Sequence, residues 1–198
     1  GLGNPALQGQ VAWMARSEPR PPARMTEPKL AEAALFYLSR YASSSGNLRR
    51  VLMRKVARSA AFYGDDPEPL KPIVDALVTK YAENGAVNDT AYADAQVRKL
   101  RRRGSSARLI VKNLNAKGVP ADVIAETASS LNEEAGDPAA ALRFAQRRRL
   151  GPFRQTGRAE NRQRDLAALG RVGFDYQLAR MIVDAESVEM LMETIAGS

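Results

Sequence analysis

The sequence predicts an all-α protein, an elongated tandem array of three three-helix repeats. Three observations carry that prediction. One stripe of apolar residues recurs three times: Ile73, Val74, Leu77, Val78, Tyr81; then Val123, Ile124, Thr127, Ala128, Leu131; then Leu178, Ala179, Ile182, Val183. Positions i, i+1, i+4 and i+5 share one side of an α-helix, so a helical unit repeats and not merely a composition. The helix before each stripe repeats in register as well, because Val111 and Leu114 stand 55 residues before Leu166 and Leu169, the offset that also separates Val123 from Leu178. Finally, no alternating β-branched run occurs, and Pro and Gly fall between the periodic segments.

Taken in chain order, residues 1–28 hold Pro19, Pro21, Pro22 and Pro28 among scattered arginines and lack an apolar stretch, so they read as a disordered tail and not a secretory signal. Trp13 sits there without periodic context, and Met14 and Met25 are candidate starts. Nine helices are expected beyond the tail, in repeats at 29–87, 88–135 and 136–198. In the first repeat, Ser43 to Ser45 supply a helix cap ahead of Leu48. That helix lacks a glycine where the later repeats have one, so it runs on until Gly64 and Pro67 end it.

The second repeat opens at GAVNDTAYADAQVRKLR. With Asn88 as cap, Val87 and Tyr92 take the N′ and N4 positions of a hydrophobic staple, and Ala93, Val97 and Leu100 form an inner face. The next helix faces inward through Ala107, Ile110, Val111 and Leu114 and stops at Gly118, followed by Val119. The third repeat matches with Leu169, Gly173 and Phe174. Both stops suit a Schellman motif, where a left-handed glycine ends the helix and the next apolar residue packs back. After Arg180 the chain carries Asp184, Glu186, Glu189 and Glu193 with no cation, an unfavourable end for a helix that suggests fraying or a basic partner.

Gly85 to Ala93, a basic stretch, and RLIVKNLNAKGVPADVI, with ALFYLSRYASSSGNLRRVLMRK before and DLAALGRVGFDYQLARMIV after, resemble the RecX family of recombination regulators over residues 30–186. The resemblance implies a cytoplasmic modulator of the RecA recombinase in DNA recombination, repair and the SOS response. Such a protein lies in the groove of the RecA filament on single-stranded DNA, bridges protomers, and opposes filament growth, ATP hydrolysis, strand exchange and repressor cleavage. It implies a monomer without cofactor.

Charge supplies the bottom-up evidence for a partner. Thirty Lys and Arg against 22 Asp and Glu leave the chain at +8, which favours polyanions or acidic grooves. Arg101, Arg102 and Arg103 end the first helix of repeat two, and Arg147, Arg148 and Arg149 end the first helix of repeat three. Equivalent sites in stacked repeats recur along one edge, so the triplets predict a basic ribbon, continued by Arg108 and Lys112 and, in repeat one, by Arg49, Arg50 and Arg54. The plainer reading is that cations favour helix C-termini, where they offset the macrodipole. Tyr92 and Phe144 read as core, and only Phe153 lies in a basic loop, so contact with phosphates of single-stranded or duplex DNA, or with acidic protein, is expected rather than base stacking.

Cysteine and histidine are absent, which removes disulfides, Cys/His zinc sites, thiol nucleophiles and imidazole catalysis. The chain has no GxxxxGK[ST] phosphate loop and no apolar run of membrane-spanning length. Asp65, Asp66 and Glu68 lie among Gly64, Pro67 and Pro69 and read as a solvated loop and not a metal site. No catalytic residue is assigned. A helix-turn-helix protein that binds DNA without a recombinase is the alternative.

Overall fold

The computed structural model describes residues 21–133 and 136–196. Trp13, Met14 and most of the expected tail lie outside them. Ten α-helices and no strand occur among the described residues: α1 (Glu27–Leu38), α2 (Ser45–Tyr63), α3 (Lys71–Glu83), α4 (Asp89–Arg102), α5 (Ala107–Lys117), α6 (Ala121–Glu133), α7 (Gly136–Arg148), α8 (Arg158–Arg171), α9 (Tyr176–Asp184) and α10 (Val188–Ala196). The sequence led to nine. The tenth, α10, follows the third stripe after a short break and buries Leu191 into the last core, so that an apolar face holds an otherwise acidic segment.

Helix ends follow local chemistry. Pro28 sits in the first turn of α1, where its missing N–H costs nothing. The Ser44 hydroxyl accepts from the Asn47 N–H, Asn88 from Ala91, Ser106 from Leu109, and Asp175 from Leu178, each satisfying an orphan donor. The α2 helix runs on to Gly64, which stops it in the left-handed conformation at φ 73°. At α5 the Val119 N–H bonds the Leu114 carbonyl at 3.1 Å, and at α8 the Phe174 N–H bonds the Leu169 carbonyl at 3.3 Å, the Schellman pairing.

Residues 22–25 are held in place before α1 begins. The Tyr63 hydroxyl donates to the Pro22 carbonyl, Arg24 pairs with Asp65, and the Met25 N–H bonds Ser59 Oγ at 2.9 Å. Three separate apolar cores follow in chain order. The first holds Leu30, Leu48, Leu52, Val56, Val74 and Tyr81; the second Ala93, Ile110, Leu114, Ile124 and Leu131; the third Phe144, Leu166, Leu169, Phe174, Ile182 and Leu191. Each recurrent stripe lines its own core.

The cores are joined by helix ends meeting head to tail. The C-terminus of α5 abuts the N-terminus of α2: the Gly46 N–H donates to the Gly118 carbonyl at 3.2 Å, the Ser44 hydroxyl to the Lys117 carbonyl, and Arg50 to the Ala116 carbonyl at 2.9 Å. The C-terminus of α8 meets the N-terminus of α5 likewise, with the Ser106 N–H on the Val172 carbonyl at 3.0 Å. Orphan donors of one helix thus satisfy orphan acceptors of the next. An acid from the following unit completes each junction, Asp89 accepting from the Ser45 N–H at 2.9 Å and Asp137 from the Ala107 N–H at 2.8 Å.

Candidate anion-binding site

The site lies where α4 ends against α7. Gly104, at φ 78°, turns the chain from α4 into α5, and a Cβ there would stand 2.9 Å from Phe144, so the turn sits directly on the buried ring. Two arginines lock the approach. Arg101, only 15% exposed, donates to the Asp137 carboxylate at 3.0 Å and to the Ser105 carbonyl at 3.2 Å. Arg147 donates in the opposite direction, to the carbonyls of Arg102 at 2.7 Å and Arg103 at 2.6 Å, satisfying acceptors at the end of α4.

The two triplets therefore meet at one junction, but they divide in role: Arg101 and Arg147 are spent on structure, whereas Arg102 and Arg103 point to solvent. Arg148 stands 5.9 Å over the Phe144 ring, and Arg149 occupies a left-handed position at φ 54° that favours glycine. A cleft of about 640 Å³ opens between the helices, walled by Arg98, Arg101 and Arg102 on α4 and by Arg143, Gln146 and Arg147 on α7, with Gly104 and Phe144 at its base. The guanidinium groups of Arg98, Arg102 and Arg143 have no hydrogen-bond or ion-pair partner among the described residues.

Arg98 and Arg143 were missed in the sequence because only consecutive arginines stand out there. The available signal was helical spacing, since each lies one turn before a triplet member, Arg98 before Arg102 and Arg143 before Arg147.

The remaining expected residues lie elsewhere. Arg108 and Lys112 are exposed one turn apart on α5 and line neither the cleft nor its neighbours. Arg49 is tied to Asp75 across α2 and α3 at 2.6 Å, which holds the Asp75 carboxyl below its ordinary pKa. Arg50 reaches the α5 terminus, as described, and Arg54 shares with it a shallow recess on α2. Arginines of the 150–164 connection are largely structural: Arg154 pairs with buried Asp165, Arg158 donates to the Val183, Ala185 and Glu186 carbonyls at the end of α9, and Arg162 binds Asp184 through two 2.7 Å bonds. The last pairing depresses the Asp184 carboxyl, chiefly by hydrogen bonding.

Phe153 is half-buried against the third core, and Tyr92 is half-buried with a phenol pushed above its ordinary pKa by burial, so neither offers a stacking face. Asp65 binds Arg24, Asp66 accepts the Glu68 N–H at 3.0 Å, and Glu68 pairs with Lys71. Guanidinium groups remain protonated at neutral pH, so the cleft supplies fixed positive charge and forked donors for anions rather than proton transfer. No helix among the described residues is long and apolar enough to cross a membrane.

Comparison with known proteins gives a consistent relationship. A family model described as the second three-helix domain of RecX matches residues 88–127. The regulatory protein RecX of Myxococcus xanthus (strain DK1622) is 44% identical over 169 residues, 84% of this chain and 90% of that protein. That of Agrobacterium fabrum is 32% identical over 152 residues, 76% of this chain and 79% of that protein. A crystal structure of regulatory protein RecX matches with a TM-score of 0.57 at 21% identity, over 80% of this chain and 72% of the other, a likeness of fold.

Proposed function

The chain belongs to the RecX family of regulatory proteins, and from that premise we propose that it binds the RecA recombinase filament on single-stranded DNA and opposes its growth, ATP hydrolysis and strand exchange, with no catalysis of its own. The observation that carries this reading is the 44% identity over 84% of the chain, a match too long to omit any of the three cores. The units proposed are 29–87, 88–135 and 136–198, and the contact surface proposed is the α4–α7 cleft. Its unpaired Arg98, Arg102 and Arg143 suit acidic protein surface or phosphate, and the locked Arg101 and Arg147 hold its two walls at a fixed separation.

The test is a titration of single-strand-dependent ATP hydrolysis by RecA. Substoichiometric protein lowers turnover if the reading holds, and unchanged turnover at several-fold excess, with preformed and with newly nucleated filaments, refutes it. The second reading, direct binding to DNA phosphates, draws support from Arg108 and Lys112, unpaired among the described residues and exposed on α5. A mobility shift on naked DNA at concentrations that leave RecA turnover untouched would favour it.

A further inference from the structure

A second cavity, of about 500 Å³, shares Phe144 with the cleft in its lining. Cations reach it from three helices: Arg103 at the end of α4, Arg148 at the end of α7, and Arg164 and Arg171 on one face of α8. Its base is already neutral. Asp165, 1% exposed, has one oxygen on Arg154 Nη2 at 2.6 Å and the other shared by Arg154 Nε and the Gly151 N–H at 3.0 Å, so its charge is consumed and its position fixed. None of the four guanidinium groups has a hydrogen-bond or ion-pair partner among the described residues; that of Arg148 has the Phe144 ring alone.

We propose that this cavity is a binding site for a compact oligophosphate, a chain of adjoining phosphates such as inorganic tripolyphosphate or the triphosphate of a nucleotide. The inference stands apart from the reading of the protein as a recombinase regulator. Four like charges facing one recess repel, and an anion of several charges relieves that repulsion. The cavity volume falls within the ordinary range for small-ligand sites, about 300 to 1,000 Å³. Guanidinium forks match pairs of phosphate oxygens. The convergence of the four from separate helices suits charges packed within one chain of phosphates. A phosphodiester strand carries only one charge per nucleotide, and a row of cations along a groove would fit it better. The lone aromatic lining residue, Phe144, is 5% exposed and stands beneath Arg148, so the site offers no face for a base and reads the phosphates alone. A ligand seated there ties α4 to α7 and α8, and hence the second core to the third.

Isothermal titration of the full chain at physiological ionic strength, with sodium tripolyphosphate, orthophosphate and ATP, tests the proposal. Tripolyphosphate should bind at one site, at least about tenfold more tightly than orthophosphate. The double variant Arg164→Ala/Arg171→Ala should weaken it at least about tenfold, and Arg164→Lys/Arg171→Lys, which keeps charge but loses the forks, should fall between. Arg108→Ala/Lys112→Ala removes the same charge from α5, outside the cavity, and should change affinity by less than about twofold. ATP matching tripolyphosphate admits free nucleotide as the source, whereas clearly weaker ATP restricts the ligand to inorganic oligophosphate; either result sustains the site. Tripolyphosphate no tighter than orthophosphate, equal losses in the α5 control, or stoichiometric displacement of tripolyphosphate by a short oligothymidylate would each overturn it.

Discussion

Replacing Gly46 by alanine tests the junction between the first two cores. Gly46 is the second residue of α2 and does not need a left-handed backbone, so alanine on its own should gain the helix about 1 kcal/mol. The added Cβ, however, would lie against the Gly118 carbonyl oxygen, with Gly118 C and Cα at 3.1 Å, and these backbone atoms cannot swing aside as a side chain can. Relief requires the helix ends to part, with loss of the bonds from Gly46, Ser44 and Arg50 to the α5 terminus. At about 1 kcal/mol for each bond, less the gain in propensity, the net destabilisation is about 2 kcal/mol, inside the usual range for overpacking. In a chain of this size that is a fall of about 4 to 8 °C in Tm. Far-ultraviolet circular dichroism should show unchanged helix content in the folded protein and an earlier thermal and urea transition. A Gly46→Ala protein as stable as the parent would refute end-to-end docking. Two further glycines calibrate the result. Gly64→Ala meets nothing within 4 Å at φ 73° and should cost only backbone strain, about 1 kcal/mol. Gly173→Ala combines φ 93° with a clash on Ser106 Oγ and should cost more than either.

Arg147→Ala, losing two bonds to the end of α4, should destabilise by about 1 to 2 kcal/mol, whereas Arg148→Ala should stay within about 0.5 kcal/mol, both read from urea unfolding. Arg149→Gly should stabilise by about 1 kcal/mol, because the residue sits at φ 54°. Joint replacement of Arg98, Arg102 and Arg143 by alanine should leave the unfolding transition nearly in place while weakening inhibition of RecA turnover and flattening its salt dependence; full inhibition at low and high salt would move the contact surface elsewhere. The Asp184 carboxyl is depressed by Arg162, so their pairing stabilises the fold above the unfolded carboxyl pKa and is lost as pH falls through the lower, folded value. Both groups are about a third exposed, so solvent screening keeps the effect small, and the stabilities of the parent and Asp184→Asn should converge in acid.

Periodicity was legible because each third helix buries one stripe in its own core, and the stops were legible because Gly118 and Gly173 each begin a Schellman turn followed by a buried Val119 or Phe174. The tenth helix was not told apart from the one before it because its apolar residues, Leu191 and Ile195 against the core and exposed Met190 and Met192, are interleaved with acids that dominate a reading by charge. The site was half legible. Arginine triplets mark the ends of α4 and α7, but a run of like residues cannot tell which member folds back onto a carbonyl. That depends on Asp137, 36 residues from Arg101, and on carbonyls 44 and 45 residues from Arg147.

The same glycines account for how units become an array. A left-handed glycine ends a helix in any isolated turn, but at Gly118 and Gly173 the missing Cβ also admits another helix, Gly46 against the first and Ser106 against the second. At Gly64, where α2 ends with no helix docked on it, the same conformation leaves open space. Helices α8, α5 and α2 therefore form a column joined by backbone bonds, capped at each joint by Asp137 or Asp89 from the unit that follows. Unit spacing in such a column is set by main chain rather than by surface side chains. Arginines facing solvent can then be exchanged without moving the units, whereas a single methyl group at Gly46 disturbs the separation between them.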